Sequence, residues 1–379
     1  DFEYPAGTYG VQSWWDYGHW ITMRSERIPN ANPFQEGAAA AANFLLAPNE
    51  SAAREALLER GEEADDTRYV MIDYKMASTG AAANSKFFAP IQFYDASNVS
   101  TSDFVSTRTI NGSTGVKQVL VRTENGLRGG FTERKQRYYE SMMIRLYMYH
   151  GSRAEPRIQG LFGDQVVVFD YQEVTDRIND VTYKIVTPGQ EGSPLKTFPN
   201  RTAAEEFVAE DGSARIGGVG AFPREPVAAL EHYRLVDTTD TTAFSARQYQ
   251  LSTLRQAQIL GLGRQRAGQL FKTTPSWVKT FERVPGATVT GSGADPNETL
   301  TASVRLQIPA DSGNGTSFVY RQQTTAGPDG EFSFTVPYST TGYEEFGPEN
   351  GYTNVTVRAM GPYQISGDVR TNESGYVLR

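Results

Sequence analysis

Apolar positions recur at helical spacing in the first third of the chain and at strand spacing from about residue 160 onward. Residues 36–47 are alanine-rich and favour a helix, and a second helix is predicted from a cap at Asn49 or Ser51 through Ala52 to Arg60. Arg68–Asp73 is a short β-branched and apolar run that reads as a buried strand, and Lys86–Tyr94 reads as another. Gln136–Tyr149 is predicted as one helix, with Tyr139, Met142, Met143 and Leu146 on an i, i+3, i+4, i+7 stripe. Beyond it, Gln165–Tyr171 and Val181–Val186 read as strands, with Pro/Gly-rich turns over 188–199. Leu230–Val236 returns to a strand, and Phe244–Leu260 is helical. In the tail, Val304, Leu306 and Ile308 alternate, as do Phe332, Phe334 and Val336, then Val355 and Val357. Gly327-Pro328-Asp329-Gly330 supplies a turn between strands there.

These patterns predict an α+β fold. Residues 1–154 with 223–285 form a mixed helix/strand central core, 155–222 a β-rich insertion, and 286–379 a C-terminal antiparallel β-sandwich. At 379 residues the chain is long enough for such a division.

Composition narrows the chemistry. The absence of cysteine removes thiolate nucleophiles, disulfides and zinc–thiolate sites, and three histidines make a histidine-rich metal centre improbable. A net charge of −8 offers no basic face, so nucleic acid is not an expected partner. Eight lysines against twenty-eight arginines, with the acidic excess, suit a surface adapted to salt. The longest apolar run, Gly37–Ala42, followed by Asn43 and then Phe44–Ala47, falls short of the roughly 20 residues of a membrane span. The chain opens at Asp1 rather than at a methionine, which reads as a processed or excised piece. Eight of the fifteen asparagines stand in Asn-x-Ser/Thr: Asn49, Asn98, Asn111, Asn200, Asn297, Asn314, Asn354 and Asn372. Such acceptors mark surface loops outside the cytoplasm, although Asn, Ser and Thr also share turns for local reasons. The Gly-rich stretch 261–268 lacks the Lys-Ser/Thr of a phosphate loop, and the carboxylate pairs Asp65-Asp66 and Asp237–Asp240 read as solvated loops.

The densest chemical signal is SWWDYGHWI, residues 13–21, which holds three of the four tryptophans. An aspartate among Trp14, Trp15 and Tyr17 is an acceptor in a poorly hydrated setting, and an indole N–H can only donate. Such a pocket suits a small hydroxyl group. A hydrogen bond to a charged partner contributes about 1.5–3 kcal/mol, and a ligand without the hydroxyl leaves the buried charge unpaired. The same residues are also compatible with an aromatic core cluster in which Asp16 caps the following segment.

Trp14-Trp15-Asp16-Tyr17-Gly18 resembles, letter for letter, the WWDYG signature of oligosaccharyltransferase catalytic subunits, the archaeal AglB, bacterial PglB and eukaryotic family. Gly10–Ser13 and His19–Ile21 around it look like the archaeal, particularly haloarchaeal, version. Arg68–Met76, Glu231–Val236 and Trp277–Ala287 also resemble that family's core segments, so the likeness covers residues 1 to about 290. The terminal sandwich is similar to its peripheral domains. The resemblance implies transfer of a lipid-linked glycan to the asparagine of Asn-x-Ser/Thr. It implies that Trp14, Trp15 and Asp16 bind the hydroxyl two positions beyond that asparagine, with Tyr17 and Gly18 shaping the turn.

The family's second motif reads Asp-x-x-Lys-x-x-x-Met/Ile. Its best placement by sequence is Gln136–Tyr149, where Gln136 and Tyr139 stand in place of the Asp and Lys, and Met142 or Met143 would either contact a threonine methyl or simply fill the core. No catalytic residue is expected within this chain. The divalent cation (Mg or Mn), the lipid-linked oligosaccharide and the transmembrane domain are expected to meet in a membrane half, with this region outside the cell membrane and inactive alone. Two rivals remain. A glycoside hydrolase requires a second acid roughly 5–10 Å from Asp16, and a carbohydrate-binding surface protein requires only the sandwich.

Overall fold

The computed structural model describes residues 2–59, 67–79, 85–94, 99–110, 113–123, 126–158, 165–176, 181–186, 194–259, 274–309, 316–345, 347 and 353–366. The stretch 261–268, Asp65-Asp66, Arg60, and the sequon asparagines Asn98, Asn111, Asn314 and Asn372 lie outside them.

The core is built on a five-stranded sheet. Its order is Tyr233–Thr238, Val278–Arg283, β3 (Thr67–Asp73), β1 (Gly10–Gln12) and β2 (Ile28–Pro29). β1 runs parallel to both β2 and β3, and Gln12 pairs with Val70. β3 runs antiparallel to Val278–Arg283, which in turn pairs antiparallel with Tyr233–Thr238. Val70 and Ile72 of β3 are fully buried, as the apolar run predicts. Glu282 ties three neighbouring strands together by accepting from Arg68 at 3.0 Å and from Arg234 at 2.7 Å.

Helices cover this sheet. α1 (Gly18–Ser25) follows β1; α2 (Ala38–Leu46) and α3 (Glu50–Leu58) fall where alanine content and the Asn49 cap place them. The Asn49 side chain accepts from the Ala52 N–H at 2.9 Å, and Asn200 does the same for Ala203 at the start of a helix over Arg201–Asp211. Two sequon asparagines therefore have a local capping role. That second helix, inside a segment read as β-rich, is absent from the hydrophobic pattern because only Ala204 on it is buried.

Two expected elements differ. Lys86–Tyr94 is not a strand but a turn followed by a single 3₁₀ turn at Pro90–Gln92; proline at its start fixes φ and withholds a ladder donor. Gln136–Tyr149 is two helices, Gln136–Glu140 and Met142–Tyr149, because Ser141 is extended (φ −60°, ψ 138°) and its hydroxyl donates to the Tyr138 carbonyl. Nor is the predicted stripe one face of an amphipathic helix. Tyr138, Tyr139, Met142, Met143, Ile144 and Leu146 are all fully buried, and residues 142–147 of the second helix are enclosed all round.

One sheet of the insertion is shared with the first third. Gln172–Asp176 and Val181–Val186 continue a hairpin formed by Gln118–Thr123 and Gly126–Thr132. Buried Glu133 joins the two regions through Lys184 at 3.0 Å and Arg224 at 2.8 Å. In the tail, Thr299–Ile308 pairs with Thr316–Thr325 over ten residue pairs, and Ala287–Gly291 pairs with Phe332–Val336. Leu300, Ala302, Val304, Leu306 and Ile308 face inward beside Phe332, Phe334 and Val336. Val355 and Val357 are buried there without lying in a strand. This layer is continuous with the core: the Tyr338 hydroxyl donates to the His150 carbonyl and accepts from the Leu235 N–H, and Tyr320 donates to the Leu230 carbonyl.

Two features of this frame make predictions. Gly18 is helical, but a Cβ there would penetrate the Ala31 carbonyl oxygen and stand 2.8 Å from the Asn32 Cα. Gly18→Ala should lower unfolding free energy by about 1–3 kcal/mol, measured by urea denaturation; a loss within about 0.5 kcal/mol would show that the loop yields freely. Separately, buried Lys279 donates to the Tyr147 carbonyl and the His150 ring at 2.7 Å, and burial pulls its pKa down to about 7. The unfolded chain then binds a proton that the fold rejects between about pH 7 and the ordinary lysine range, so stability should rise with pH across that window. Lys279→Met should flatten that slope in thermal melts from pH 7 to 10; an unchanged slope would assign it to other groups.

Candidate functional site

Parallel pairing brings the site together. β1 and β3 end on the same side of the sheet, so the chain leaving β1 toward Trp14 and the last residue of β3, Asp73, emerge side by side. Trp15–Tyr17 form one 3₁₀ turn, closed by the Tyr17 N–H donating to the Trp14 carbonyl at 3.1 Å. Trp14 is buried, its ring edge-on to Phe93 at 5.5 Å and tilted against Trp15 at 6.1 Å. Trp15, Asp16 and Tyr17 stay partly exposed.

The Asp16 carboxylate is divided in its duties. One oxygen, Oδ2, accepts from Lys86 Nζ in an ion pair whose side chains are 26% and 28% exposed, so the pair stands at the surface of the site. The other oxygen, Oδ1, is buried and has no hydrogen-bond partner among the described residues. The Trp15 indole N–H is in the same condition. One orphan acceptor and one orphan donor thus lie on consecutive residues of a single turn. A hydroxyl group, which donates once and accepts, has the complementary chemistry to both.

Behind the turn, Lys86 Nζ also donates to the Tyr17 hydroxyl at 3.1 Å and lies 4.5 Å from that ring's centroid. The Tyr17 hydroxyl donates to Asp73 Oδ2, while Asp73 Oδ1 accepts the Met76 N–H at 2.8 Å and so caps α4 (Tyr74–Ala77). Burial holds the Asp73 carboxyl above its usual range, against the Tyr17 and Met76 hydrogen bonds and the Lys86 charge that lower it. Burial, and then the Asp73 charge, push the Tyr17 phenol up as well, so it remains a proton donor.

Asp73 and Lys86 are the residues that sequence reasoning passed over: one was read as a strand end, the other as a strand start. The signal was present in Asp73-Tyr74-Lys75-Met76, an acid with Lys and Met close behind, directly after an apolar run. The positions assigned to the second motif lie elsewhere and have structural duties. Gln136 donates to Glu140 and the Glu225 carbonyl and accepts from the Arg224 and Glu225 N–H groups, and Tyr139 is fully buried. Met142 and Met143 have no exposed surface, so in this conformation neither offers a contact to a bound residue; both fill the core.

The turn does not fit a divalent cation. Lys86 already balances the Asp16 charge, and Asp73, 3% exposed, has both oxygens engaged. Asp73 is also unsuited to serve as the second open acid of a glycosidase pair. Among the described residues, Glu50, Glu231 and His232 bring ligand atoms within 4.8 Å of one another. There Glu50 Oε1 accepts the Glu231 and His232 N–H groups and joins α3 to the sheet. No helix among the described residues is long and apolar enough to cross a membrane.

Comparison with known proteins agrees with the turn and the fold around it. The AglB core domain profile matches residues 2–77, and that of the archaeal glycosylation protein B long peripheral domain matches residues 286–375. A dolichyl-monophosphooligosaccharide–protein glycotransferase, AglB of Haloferax volcanii, is 50% identical over 369 residues, 97% of this chain and 32% of its own length. Among solved structures, an Archaeoglobus fulgidus oligosaccharyltransferase in complex with Zn and sulfate superposes with a TM-score of 0.54 at 19% identity, over 97% of this chain and 39% of its own. AglB from A. fulgidus, with an inhibitory peptide and a dolichol-phosphate, gives 0.52 at 18% identity, over 97% of this chain and 36% of its own. The chain therefore spans about a third of the length of these relatives, and over nearly all of its own residues it is similar to archaeal AglB proteins.

Proposed function

We propose that this chain reads the acceptor sequon for an oligosaccharyltransferase, which transfers a dolichyl-phosphate-linked glycan to the asparagine of Asn-x-Ser/Thr in protein N-glycosylation. What carries the reading is the pair of orphan atoms on the turn. The acceptor's Ser or Thr hydroxyl donates to Asp16 Oδ1 and accepts from the Trp15 indole N–H. Trp14 and Phe93 wall off water beneath it. Lys86 holds the other carboxylate oxygen, and the Tyr17–Asp73 hydrogen bond holds the ring against which Lys86 rests.

Valine in place of threonine leaves an indole N–H and a carboxylate oxygen both unpaired, the arrangement that gives a hydroxyl-binding site its discrimination. Fixing the hydroxyl restricts where the asparagine two residues earlier can lie, which converts an encounter into a positioned attack. In this reading Asp73 and Lys86 act by holding Tyr17 and Asp16 in place. The catalytic residues, the Mg or Mn ion that assists transfer, the lipid-linked oligosaccharide and the membrane-spanning part belong to the two thirds of the relatives' length that this chain does not match. That assignment puts the turn on the outer face of the cell membrane and leaves the 379 residues without transferase activity of their own.

The test is Asp16→Ala in the longer protein that carries this chain. Transfer to an Asn-Ala-Thr peptide should fall at least about a hundredfold, since the variant loses a charge-assisted hydrogen bond and the anchor of Lys86 together. Thermal stability of the variant 379-residue chain should stay close to that of the parent, because a half-exposed ion pair contributes about 0–1 kcal/mol. Transfer within threefold of the parent would refute the assignment.

A further inference from the structure

Beside the turn, with Tyr17 in its wall, lies a pocket of about 170 Å³. Its walls include Tyr17, Trp20, Ile21 and Arg24 from the turn and α1, Met71 and the carboxylate-bearing Asp73 from β3, and Val278 from the neighbouring strand. Its character is apolar, and its mouth is unusual: Trp20 is 57% exposed and the Arg24 guanidinium lies 5.8 Å from the Trp20 ring centroid. Large exposed rings next to a concave apolar surface mark contact sites more often than solvent-facing positions. Nothing assigned so far to the sequon hydroxyl uses this space.

We infer that the pocket receives the acceptor side chain two positions beyond the Ser/Thr, and that it prefers an apolar or aromatic residue there. The inference rests on the reading of Asp16 as the hydroxyl's partner. Tyr17 is the common wall: its edge carries the Lys86 and Asp73 contacts, and it also lines the pocket. An extended peptide sends alternate side chains to the same side, about 7 Å apart. With the asparagine as position 0 and the hydroxyl residue as +2, the side chains sharing that side are 0 and +4. Position 0 is committed to glycan transfer, which leaves +4 for the pocket. Size agrees with this: an apolar cavity of roughly 150 Å³ takes up one benzene ring. Arg24 over the mouth favours an aromatic occupant through its charge.

The experiment titrates the 379-residue chain by NMR with Ala-Asn-Ala-Thr-Ala-X-Ala peptides, X being Phe or Ala, and with the Phe peptide carrying Val at +2. Phe at +4 should bind about tenfold tighter than Ala. Trp20→Ala, at an exposed position that folding does not need, and Val278→Trp, which fills the pocket, should each bring that ratio close to one. Both should leave the Thr-over-Val preference at +2 unchanged. A Phe/Ala ratio near one in the parent chain, with Thr still preferred over Val, would overturn the pocket's role and leave sequon reading intact. Loss of both preferences would overturn both. A Phe preference that survives both substitutions would place the ring elsewhere and equally reject the pocket.

Discussion

A carboxylate with one oxygen tied and the other left bare is the constraint on which the site depends. The Asp16–Lys86 pair is too exposed to contribute much stability, about 0–1 kcal/mol for a pair of this kind. A buried, unpaired acceptor costs about 1–3 kcal/mol, and the neighbouring indole donor adds a similar burden. Among the described residues, the fold leaves these two groups unpaired. In the proposed reading a hydroxyl group pairs with both in one step, and the ion pair serves mainly to aim the carboxylate.

The fold supplies that aim through topology. Two parallel strands end together; one hands the chain to the Trp15–Tyr17 turn, and the other presents Asp73 as the cap of α4. Gly18 lets the turn sit against the Ala31–Asn32 backbone, where a side chain would not fit. The segment from Lys86 to Phe93 then wraps across, giving Lys86 to the carboxylate and Phe93 to the floor under Trp14. Tyr17 links these parts, its hydroxyl accepting from Lys86 and donating to Asp73.

Much of this is legible in the sequence where the cause is local. The Asn49 cap, the alanine-rich α2, the buried β3 and the alternating tail strands all follow from spacing and capping chemistry. The five-residue aromatic motif pointed to the turn now proposed as the site, because tryptophans and an acid so close together are rare. What resisted reading was long-range. Lys86 is seventy residues from Asp16, and no periodicity reports such a pairing. The sheet joining 118–132 to 172–186 is equally invisible to local pattern. The Gln136–Tyr149 stripe misled in a different way: apolar spacing reports burial, and Met142 and Met143 are buried as core without facing any ligand. The break at Ser141 follows from a side-chain hydrogen bond to its own backbone, which competes with helix in a manner that spacing cannot register.

The most direct measurement is a crystal structure of the chain soaked with an Asn-Ala-Thr peptide. The threonine oxygen should lie within about 3 Å of both Asp16 Oδ1 and Trp15 Nε1, with Lys86 still on Oδ2. A threonine bound away from those two atoms, or an Oδ1 turned to bond its own main chain with the peptide elsewhere, would contradict the account.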